Sequence, residues 1–319
     1  MWRLYSSFVL IRKKLEDLQS LGVPLHLALG VFDGVHLGHQ AVIERAVQAA
    51  HRDGGLAGVL TFDPHPIRVI APAKAPSALL ETLEHKAQVM NDLGVQLLIP
   101  LHFNQELATM EASDFIANLL AAPVRTIAVG EDWRFGHHRS GDVTMLQKES
   151  ATHGFRLEAV PPVMHEGERI SSTRIRQAIR DGNLTSAEQM LGRPFTVTGK
   201  VVEGKKLGRT IGFPTANLAT GDAQLPPSGV WVVRARLPDG ADVSGVANIG
   251  VCPTVGGTTR TLEVHLLDFQ GELYGKSLEI QFLNYLRPEA KFPSIEALRI
   301  QIQLDTNTAR EKTHERMNP

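Results

Sequence analysis

A segment rich in glycine and histidine, Gly30–His39, carries residue types suited to phosphate chemistry. It follows an apolar run over Leu25–Phe32, which predicts a buried strand, and it leads into a helical pattern over Gly38–His51. His36 and His39 stand three residues apart, so on one turn of the incoming helix both side chains project to the same side. Two imidazoles in that place could donate hydrogen bonds to phosphate and stabilise developing negative charge.

The backbone of the same segment could also bind an anion. Ligands of open α/β sheets bind at the carboxyl ends of the strands, where helix N-termini present free N–H groups. Gly30, Gly34 and Gly38 would let the chain approach such a ligand closely. A histidine pair at this spacing can also be half of a zinc site, but the nearby sequence offers no convincing third ligand. We therefore favour a nucleotide phosphate site.

A second segment, Ile170–Arg176, places hydroxyl and guanidinium groups at the start of a predicted helix. These groups could contact a polyphosphate. The hydroxyls belong to Ser171, Ser172 and Thr173, and the arginines are Arg174 and Arg176. Alone, such a run would more often be an N-cap followed by a solvated helix face. Together with the histidine pair in an α/β half, it favours a phosphate site.

A third segment, Gly208–Asn217, combines glycine, proline and polar residues. In an extended chain Thr215 and Asn217 face the same way, and their oxygen atoms could hold a hard cation. Gly199–Lys205 has the spacing of a P-loop, but position 206 is lysine rather than serine or threonine. No strand-to-helix context surrounds it either, so we reject a P-loop there.

The elements around these segments predict two domains. Apolar strands alternate with helices of 10–15 residues up to about residue 182, which is typical of a doubly wound α/β parallel sheet. After Gly192, short strands separated by glycine or proline turns predict a small antiparallel β-barrel, closed by a helix over Ser294–His314. We set the domains at residues 1–186 and 187–319.

Composition narrows the class of function. The chain has 319 residues, and 33 Lys and Arg against 34 Asp and Glu leave a net charge of −1, which disfavours a nucleic-acid partner. Neither a membrane-spanning run nor a signal peptide is found in the sequence. The single cysteine, Cys252, excludes an intramolecular disulfide and favours a cytoplasmic location. Nothing in the sequence indicates the oligomeric state.

These motifs resemble a known family. His-x-Gly-His with a downstream Ile-Ser-Ser-Thr-x-x-Arg is the signature of the nucleotidyltransferase superfamily. Thr61–Pro66 and Val129–Gly136, the latter running on to Asp142, narrow the resemblance. Together they look like the FMN adenylyltransferase module of prokaryotic bifunctional riboflavin kinase/FAD synthetases.

The resemblance implies roles for individual residues of the first half. His36, His39 and Arg176 would hold the ATP phosphates while the FMN phosphate attacks the α-phosphorus. The nucleotide ligands would be Gly30, Phe32, Asp33, Gly34, His36, Gly38, His39, Asp132, Ser171, Ser172, Thr173 and Arg176. The flavin pocket would be shaped by Phe62, Asp63, His65 and Pro66. Trp133 stands where phenylalanine is commoner in the family.

The second half resembles a flavokinase. Gly208–Asn217 matches its signature, and the segment from Glu263 to His265 matches a later strand. By this resemblance Thr215 and Asn217 bind Mg²⁺ with ATP, and Glu263 is the general base that takes a proton from the riboflavin 5′-hydroxyl. The ATP site would also include Gly199, Lys205, Gly208 and Pro214.

We therefore expect riboflavin, FMN and ATP as substrates, Mg²⁺ as the cofactor and FAD as the product. An enzyme with one live activity is an alternative, and so is a flavin-binding regulatory or storage protein with vestigial catalysis. All six residues expected to act in catalysis or cation binding are intact, which argues against the last of these.

Overall fold

The computed structural model describes residues 9–204, 207–254 and 257–317. The strands of the first half are β1 (Leu10–Ile11), β2 (Leu25–Leu29), β3 (Leu56–Asp63), β4 (Leu97–His102), β5 (Val124–Gly130), β6 (Arg156–Val160), β7 (Met164–His165) and β8 (Glu168–Arg169). Its helices are α1 (Leu37–Asp53), α2 (Pro66–Ile70), α3 (Leu83–Asp92), α4 (Gln105–Thr109), α5 (Ala112–Leu120) and α6 (Val143–His153). Short 3-10 helices lie at Glu16–Leu21, Pro72–Lys74 and His137–Arg139.

Six of these strands form one parallel sheet in the order β1-β4-β3-β2-β5-β6, and β7 pairs with β8 as a separate hairpin. From β2 the chain adds β3 and β4 on one side, then returns to add β5 and β6 on the other. The order therefore reverses between β2 and β5, and the crevice at their carboxyl ends is where such sheets bind ligands. The expected doubly wound parallel sheet is confirmed.

The sequence of β2 shows why this sheet is buried on both faces. Leu27 and Leu29 pack into a core that includes Phe115 of α5, whereas Ala28 packs into a core that includes Ile43 of α1. Successive side chains of a strand point to opposite faces, so an almost wholly apolar strand serves two layers of helices. This double burial fixes the strand end from which the glycine- and histidine-rich segment starts.

The part of the chain after β8 begins with two helices and continues as a barrel. Its elements are α7 (Ser172–Arg180), α8 (Leu184–Leu191), β9 (Thr196–Val202), α9 (Leu207–Thr210), β10 (Ala216–Ala219), β11 (Gly229–Arg236), β12 (Asp242–Thr254), β13 (Gly257–Leu266), β14 (Ser277–Arg287) and α10 (Ile295–Met317). The barrel closes in the antiparallel order β10-β13-β12-β11-β14-β9, as expected, and α10 packs on β12. Ser294 Oγ caps α10 by accepting from Ala297 N at 3.1 Å.

Contacts between residues divide the chain into two units, and each unit consists of two segments that are separate in the sequence. One holds the chain up to Ser77 with Thr82–Ser172, and the other holds Ala78–Glu81 with everything from Thr173 onward. Within the second unit, Glu81 is buried and pairs with Arg193 at 3.2 Å. A domain boundary after residue 186 stays a prediction.

His26 gives the first unit a buried polar link. The side chain of this β2 residue is 0% exposed, and its Nδ1 lies 2.9 Å from Thr126 Oγ1 on β5. Its Nε2 lies 2.9 Å from the carbonyl oxygen of Gly54, just beyond α1. One imidazole therefore ties together the two strands at the reversal point and the helix between β2 and β3.

We expect His26→Leu to lower the free energy of unfolding by about 2–4 kcal/mol, because it leaves a buried hydroxyl and a carbonyl without their partner. Urea denaturation measures the change. The control is His51→Leu, which alters an exposed histidine of α1 and should change stability by less than about 0.5 kcal/mol. Equal losses in the two variants would contradict this role.

Candidate active sites

The histidine pair lies at the start of α1, directly after the β2 end. His36 is the N-cap residue, and its Nδ1 accepts a hydrogen bond from the backbone N–H of His39 at 3.3 Å. The two rings stack with centroids 3.6 Å apart and planes 18° apart. His36 is buried and His39 half-buried. The expectation that both imidazoles project to the same side is confirmed.

The loop between β2 and α1 has an unusual backbone. Phe32 and Val35 adopt positive φ angles of 50° and 35°, and Gly34 adopts 86°. Such angles are strained for residues with a side chain, and they persist only where surrounding contacts enforce them. Sequence reasoning ended the preceding strand at Phe32, but β2 ends at Leu29 because the chain turns into this loop.

Side-chain donors hold the loop by its carbonyl groups. The Val31 carbonyl accepts from Thr61 Oγ1 at 2.8 Å and from Lys86 Nζ at 3.0 Å. Carbonyl oxygens carry partial negative charge and would repel a phosphate, so their engagement by the protein removes an obstacle to anion binding.

Two further carbonyls of the loop are held in the same way. The Asp33 carbonyl accepts from Ser172 Oγ at 2.9 Å, and the Val35 carbonyl accepts from Gln40 Nε2 at 2.9 Å. The Ser172 hydroxyl, expected to contact phosphate, thus binds the loop that would hold the phosphate. The contact joins the Ile170–Arg176 motif to the histidine-bearing segment.

The glycines of this segment make room for rings. A Cβ at Gly30 would lie 3.0 Å from the Phe32 ring, and one at Gly38 would lie 3.2 Å from the His36 ring. The Phe32 ring in turn meets His39 edge to face, with centroids 5.3 Å apart. Gly30 and Gly38 therefore shape the histidine pair by letting aromatic rings pack closely.

The end of β3 carries the residues expected at the flavin. Phe62 packs edge to face on Phe103, with centroids 5.5 Å apart, and Asp63 is exposed. His65 caps the short helix α2 by accepting from the Ile67 N–H at 3.3 Å, and Pro66 is the first residue of that helix. Because β3 is the neighbour of β2, these residues lie beside the loop, at the same edge of the sheet.

The end of β5 carries Asp132, on the other side of β2. Its carboxylate pairs with Arg169, whose Nη2 donates to Oδ1 at 3.1 Å. This hydrogen bond holds the pKa of Asp132 below its ordinary value. Sequence reasoning missed Arg169, although a basic residue directly before the Ile170–Arg176 motif was a visible signal. The neighbouring Trp133 stacks on Phe135 with centroids 4.5 Å apart.

Arg176 is buried in α7, in the second unit, and its Nε donates to the Ala78 carbonyl at 3.0 Å. That bond fixes the plane of the guanidinium group. Ser171 is half-buried, and Thr173, the second residue of α7, is exposed.

The barrel places Glu263 in a row of polar residues. Glu263 on β13 stands directly opposite Asn217 on β10 and directly opposite Asn248 on β12. Facing residues of adjacent strands project to the same side of the sheet. The flanking Leu262 and Val264 are buried, so the polar row lies on the outer face of the barrel. The expected cation ligand and the expected general base are brought together.

Two residues beside this row escaped sequence reasoning. Asn248 Nδ2 donates to Glu289 Oε1 at 3.3 Å, and a Cβ at Gly250 would lie 2.8 Å from the same oxygen. Only the register of β12 on β13 reveals that Asn248 lies beside Glu263.

His265 positions the segment that carries Thr215. Its Nδ1 donates to the Pro214 carbonyl at 2.8 Å, and its ring meets Phe213 edge to face. Thr215 itself is half-buried just before β10. A single strand, β13, therefore bears the expected base and supports the expected cation site.

Two glycines expected at the ATP, Gly199 and Gly208, and the neighbouring Gly204 approach other groups closely. A Cβ at Gly204 would lie 2.2 Å from Asn217 Nδ2, and one at Gly208 would lie 2.3 Å from the Phe213 carbonyl oxygen. Gly199 lies in β9, against Leu218. Lys205 lies outside the described residues.

Comparison with known proteins finds a matching family for each half of the chain. The FAD synthetase family model matches residues 19–174, and the riboflavin kinase family model matches residues 191–313. The bifunctional riboflavin kinase/FMN adenylyltransferase of Escherichia coli (strain K12) is 40% identical over 287 residues, which cover 89% of this chain and 91% of the relative. The chain belongs to this bifunctional family. The family member from Bacillus subtilis (strain 168) is 37% identical over 289 residues, covering 89% of this chain and 90% of that protein.

A solved structure shares the fold of this bifunctional-family chain. It is a crystal structure described as a macrolide-efflux protein from Streptococcus pneumoniae, with a TM-score of 0.81 and 31% identity over 95% of this chain and 99% of that one. A shared fold does not imply a shared activity, so we do not infer efflux for this chain. Among the described residues, no helix has both the length and the apolar character needed to cross a membrane.

The Asp132–Arg169 pair gives this family member a testable pH signature. Because the folded-state pKa of Asp132 is lowered, the pair favours folding at neutral pH, and this contribution is lost as pH falls through that pKa. We expect Arg169→Gln to raise the pKa of Asp132 toward its ordinary value, as followed by NMR titration of the side-chain carboxyl. The control Arg134→Gln removes the ion-pair partner of Asp142 and should leave Asp132 unchanged. An unchanged midpoint in Arg169→Gln would contradict the assignment.

Proposed function

We propose that the chain makes FAD from riboflavin in two ATP-dependent steps. The second half phosphorylates riboflavin to FMN, and the first half adenylylates FMN to FAD. The observation that carries the proposal is the succession of two family matches, each over a part of the chain that holds its own polar constellation. The phosphate loop and histidine pair lie in the first, and the row around Glu263 lies in the second.

Adenylylation needs no covalent intermediate. An oxygen of the FMN phosphate attacks the α-phosphorus of ATP, the bond to the β-phosphate oxygen breaks, and pyrophosphate leaves. His36 and His39 donate hydrogen bonds to phosphate oxygens and stabilise the charge that develops. The barrier is lowered by positioning and charge stabilisation. A loop whose carbonyl groups are held by side-chain donors is suited to positioning the phosphates.

Phosphorylation requires a base near the riboflavin hydroxyl. Glu263 takes the proton of the 5′-hydroxyl as its oxygen attacks the γ-phosphorus, and ADP leaves. Asn248 and Glu289 flank the base on its β12 side. A carboxylate on the outer face of a barrel can meet a substrate there.

We propose Mg²⁺ as the cation that accompanies ATP. Mg²⁺ is usually held by a few protein oxygens together with substrate phosphates. The Thr215 hydroxyl and the Asn217 amide oxygen are donors of this kind, so the residues fit the ion. When bound, Mg²⁺ neutralises phosphate charge. Within the described residues, no group of three or more His, Cys, Asp or Glu side chains could hold a metal by itself.

The other expectations follow from the same chemistry. The substrates are the small molecules ATP, riboflavin and FMN. We propose a cytoplasmic location, since one cysteine in 319 residues suits a reducing compartment.

The two half-reactions should separate by mutation. We expect Glu263→Gln to lower FMN formation from riboflavin by about 10²–10⁴-fold, because the amide cannot accept the proton. Formation of FAD from supplied FMN should persist. Chromatography of the flavins after each reaction gives both rates, and the exposed Glu311→Gln serves as the control. Parallel loss of both activities, or no loss, would show the modular assignment to be wrong.

The reverse pattern is expected from the histidine pair. His36→Ala combined with His39→Ala should lower FAD formation from FMN by at least about 10²-fold, because donors to the phosphates are removed. FMN formation from riboflavin should be retained. The control combines His51→Ala with His153→Ala, two exposed histidines of the same unit. FAD accumulating at the wild-type rate in the first double variant would exclude this site.

A further inference from the structure

Lys86 is a buried cation that the proposed mechanism has not used. It lies on α3 and is only 7% exposed. Its Nζ is 3.0 Å from the Val31 carbonyl oxygen, which also accepts from Thr61 Oγ1 at 2.8 Å. The carbonyl already has a buried neutral donor in Thr61, so a second donor that carries a full charge is more than hydrogen-bond satisfaction requires.

Within the described part of the chain, the Lys86 ammonium forms no ion pair with a carboxylate. Taking an ammonium group out of water without a countercharge is costly, because the group loses its hydration and gains no opposite charge in return. Folding stability alone therefore does not explain a lysine at this position.

The location of the Lys86 charge indicates which kind of ligand would offset the free-energy cost of burying it. Val31 directly precedes the loop residues with positive φ, and the loop leads to His36. An anion bound to the loop would lie near the Lys86 ammonium, because the Val31 carbonyl that accepts from Nζ directly precedes the loop. Buried charges interact more strongly than solvated ones and are screened less by salt. The charge complements a polyphosphate far better than a neutral ligand.

We propose that Lys86 is a positioning residue for adenylyl transfer, whose buried ammonium anchors the loop through Val31 and supplies the countercharge for the polyphosphate of ATP. The inference rests on the proposed function, because it takes the loop as the polyphosphate site of the adenylyltransferase. Lys86 acts on the ligand through the loop and through its field, without touching the reacting atoms.

Lys86→Met in the full chain tests this proposal, because methionine keeps an unbranched side chain and removes the charge. The Tm without ligand, the dissociation constant of pyrophosphate by calorimetry, and the KM for ATP and kcat of FAD formation are measured. Lys148→Met, which removes an exposed lysine of the same unit, matches the change in net charge.

We expect Lys86→Met to keep or raise the Tm while weakening pyrophosphate binding and raising the KM for ATP at least tenfold. The kcat should stay within threefold and FMN formation from riboflavin within twofold. Binding of inorganic phosphate, with its smaller charge, should weaken less than binding of pyrophosphate. Lys148→Met should match the wild type. A purely structural lysine would instead lower the Tm and leave pyrophosphate affinity of the folded protein within twofold, which would overturn the proposal.

Two further variants keep the outcome decisive. Lys86→Gln retains an N–H donor without charge, and it should show the same loss of pyrophosphate affinity even if the methionine variant does not fold. Thr61→Val removes the neutral donor to the same carbonyl and keeps the charge, so it should weaken pyrophosphate binding less than either Lys86 variant does. An equal loss in Thr61→Val would show that the carbonyl contact, rather than the charge, is what matters.

Failure of this inference is distinguishable from failure of the proposed function. Wild-type protein that forms no FAD from FMN contradicts the function, and pyrophosphate binding measured without FMN still decides the role of Lys86. Active wild-type protein with unaffected Lys86 variants contradicts the Lys86 role alone.

Discussion

The carbonyl groups of the loop after β2 must be held by the protein for this end of the sheet to accept an anion. A backbone segment presents both donors and acceptors, and acceptors repel phosphate. Here the Val31, Asp33 and Val35 carbonyls are each engaged by a side-chain donor, and the strained angles of Phe32 and Val35 persist under those contacts. The glycines that make room for aromatic rings and the sheet buried on both faces support this loop and the histidine pair that follows it.

In the barrel, the register of strand pairing holds the polar residues of the expected kinase site in place. Pairing of β10, β13 and β12 sets Asn217, Glu263 and Asn248 side by side, and a slip of one residue would turn each of them into the barrel interior. The apolar neighbours Leu262 and Val264 prevent that slip because they must stay buried. Both halves thus use the packing of apolar residues to hold polar groups in place, which suits phosphoryl and adenylyl transfer, where positioning contributes most of the catalysis.

Much of this architecture could be predicted from the sequence. Apolar runs and their spacing predicted the parallel sheet and the antiparallel barrel, because those patterns reflect burial directly. The histidine spacing predicted a pair on one side of a helix start, and the rings do stack. The start of the last helix was predicted at Ser294, and this residue does cap α10 through a local hydrogen bond that does not depend on the rest of the fold.

Long-range contacts could not be predicted in the same way. Nothing local to Lys86 indicates that its ammonium reaches Val31, 55 residues away in the chain, and nothing local to Asn248 indicates that it stands opposite Glu263. Ser172 was expected at the phosphate because its hydroxyl belongs to a phosphate motif, yet it binds the Asp33 carbonyl. The small edge strand β1 and the short strand β10 were missed because two to four residues give too little periodicity.

The most direct test of the central claim is a time course of the wild-type chain with riboflavin and Mg²⁺·ATP, with flavins and nucleotides separated by chromatography. Riboflavin should decline as FMN rises and then falls while FAD accumulates, with ADP appearing in the first step and pyrophosphate in the second. Riboflavin that stays unchanged, or FMN that accumulates with no FAD or pyrophosphate, would contradict the account of one chain carrying out both reactions.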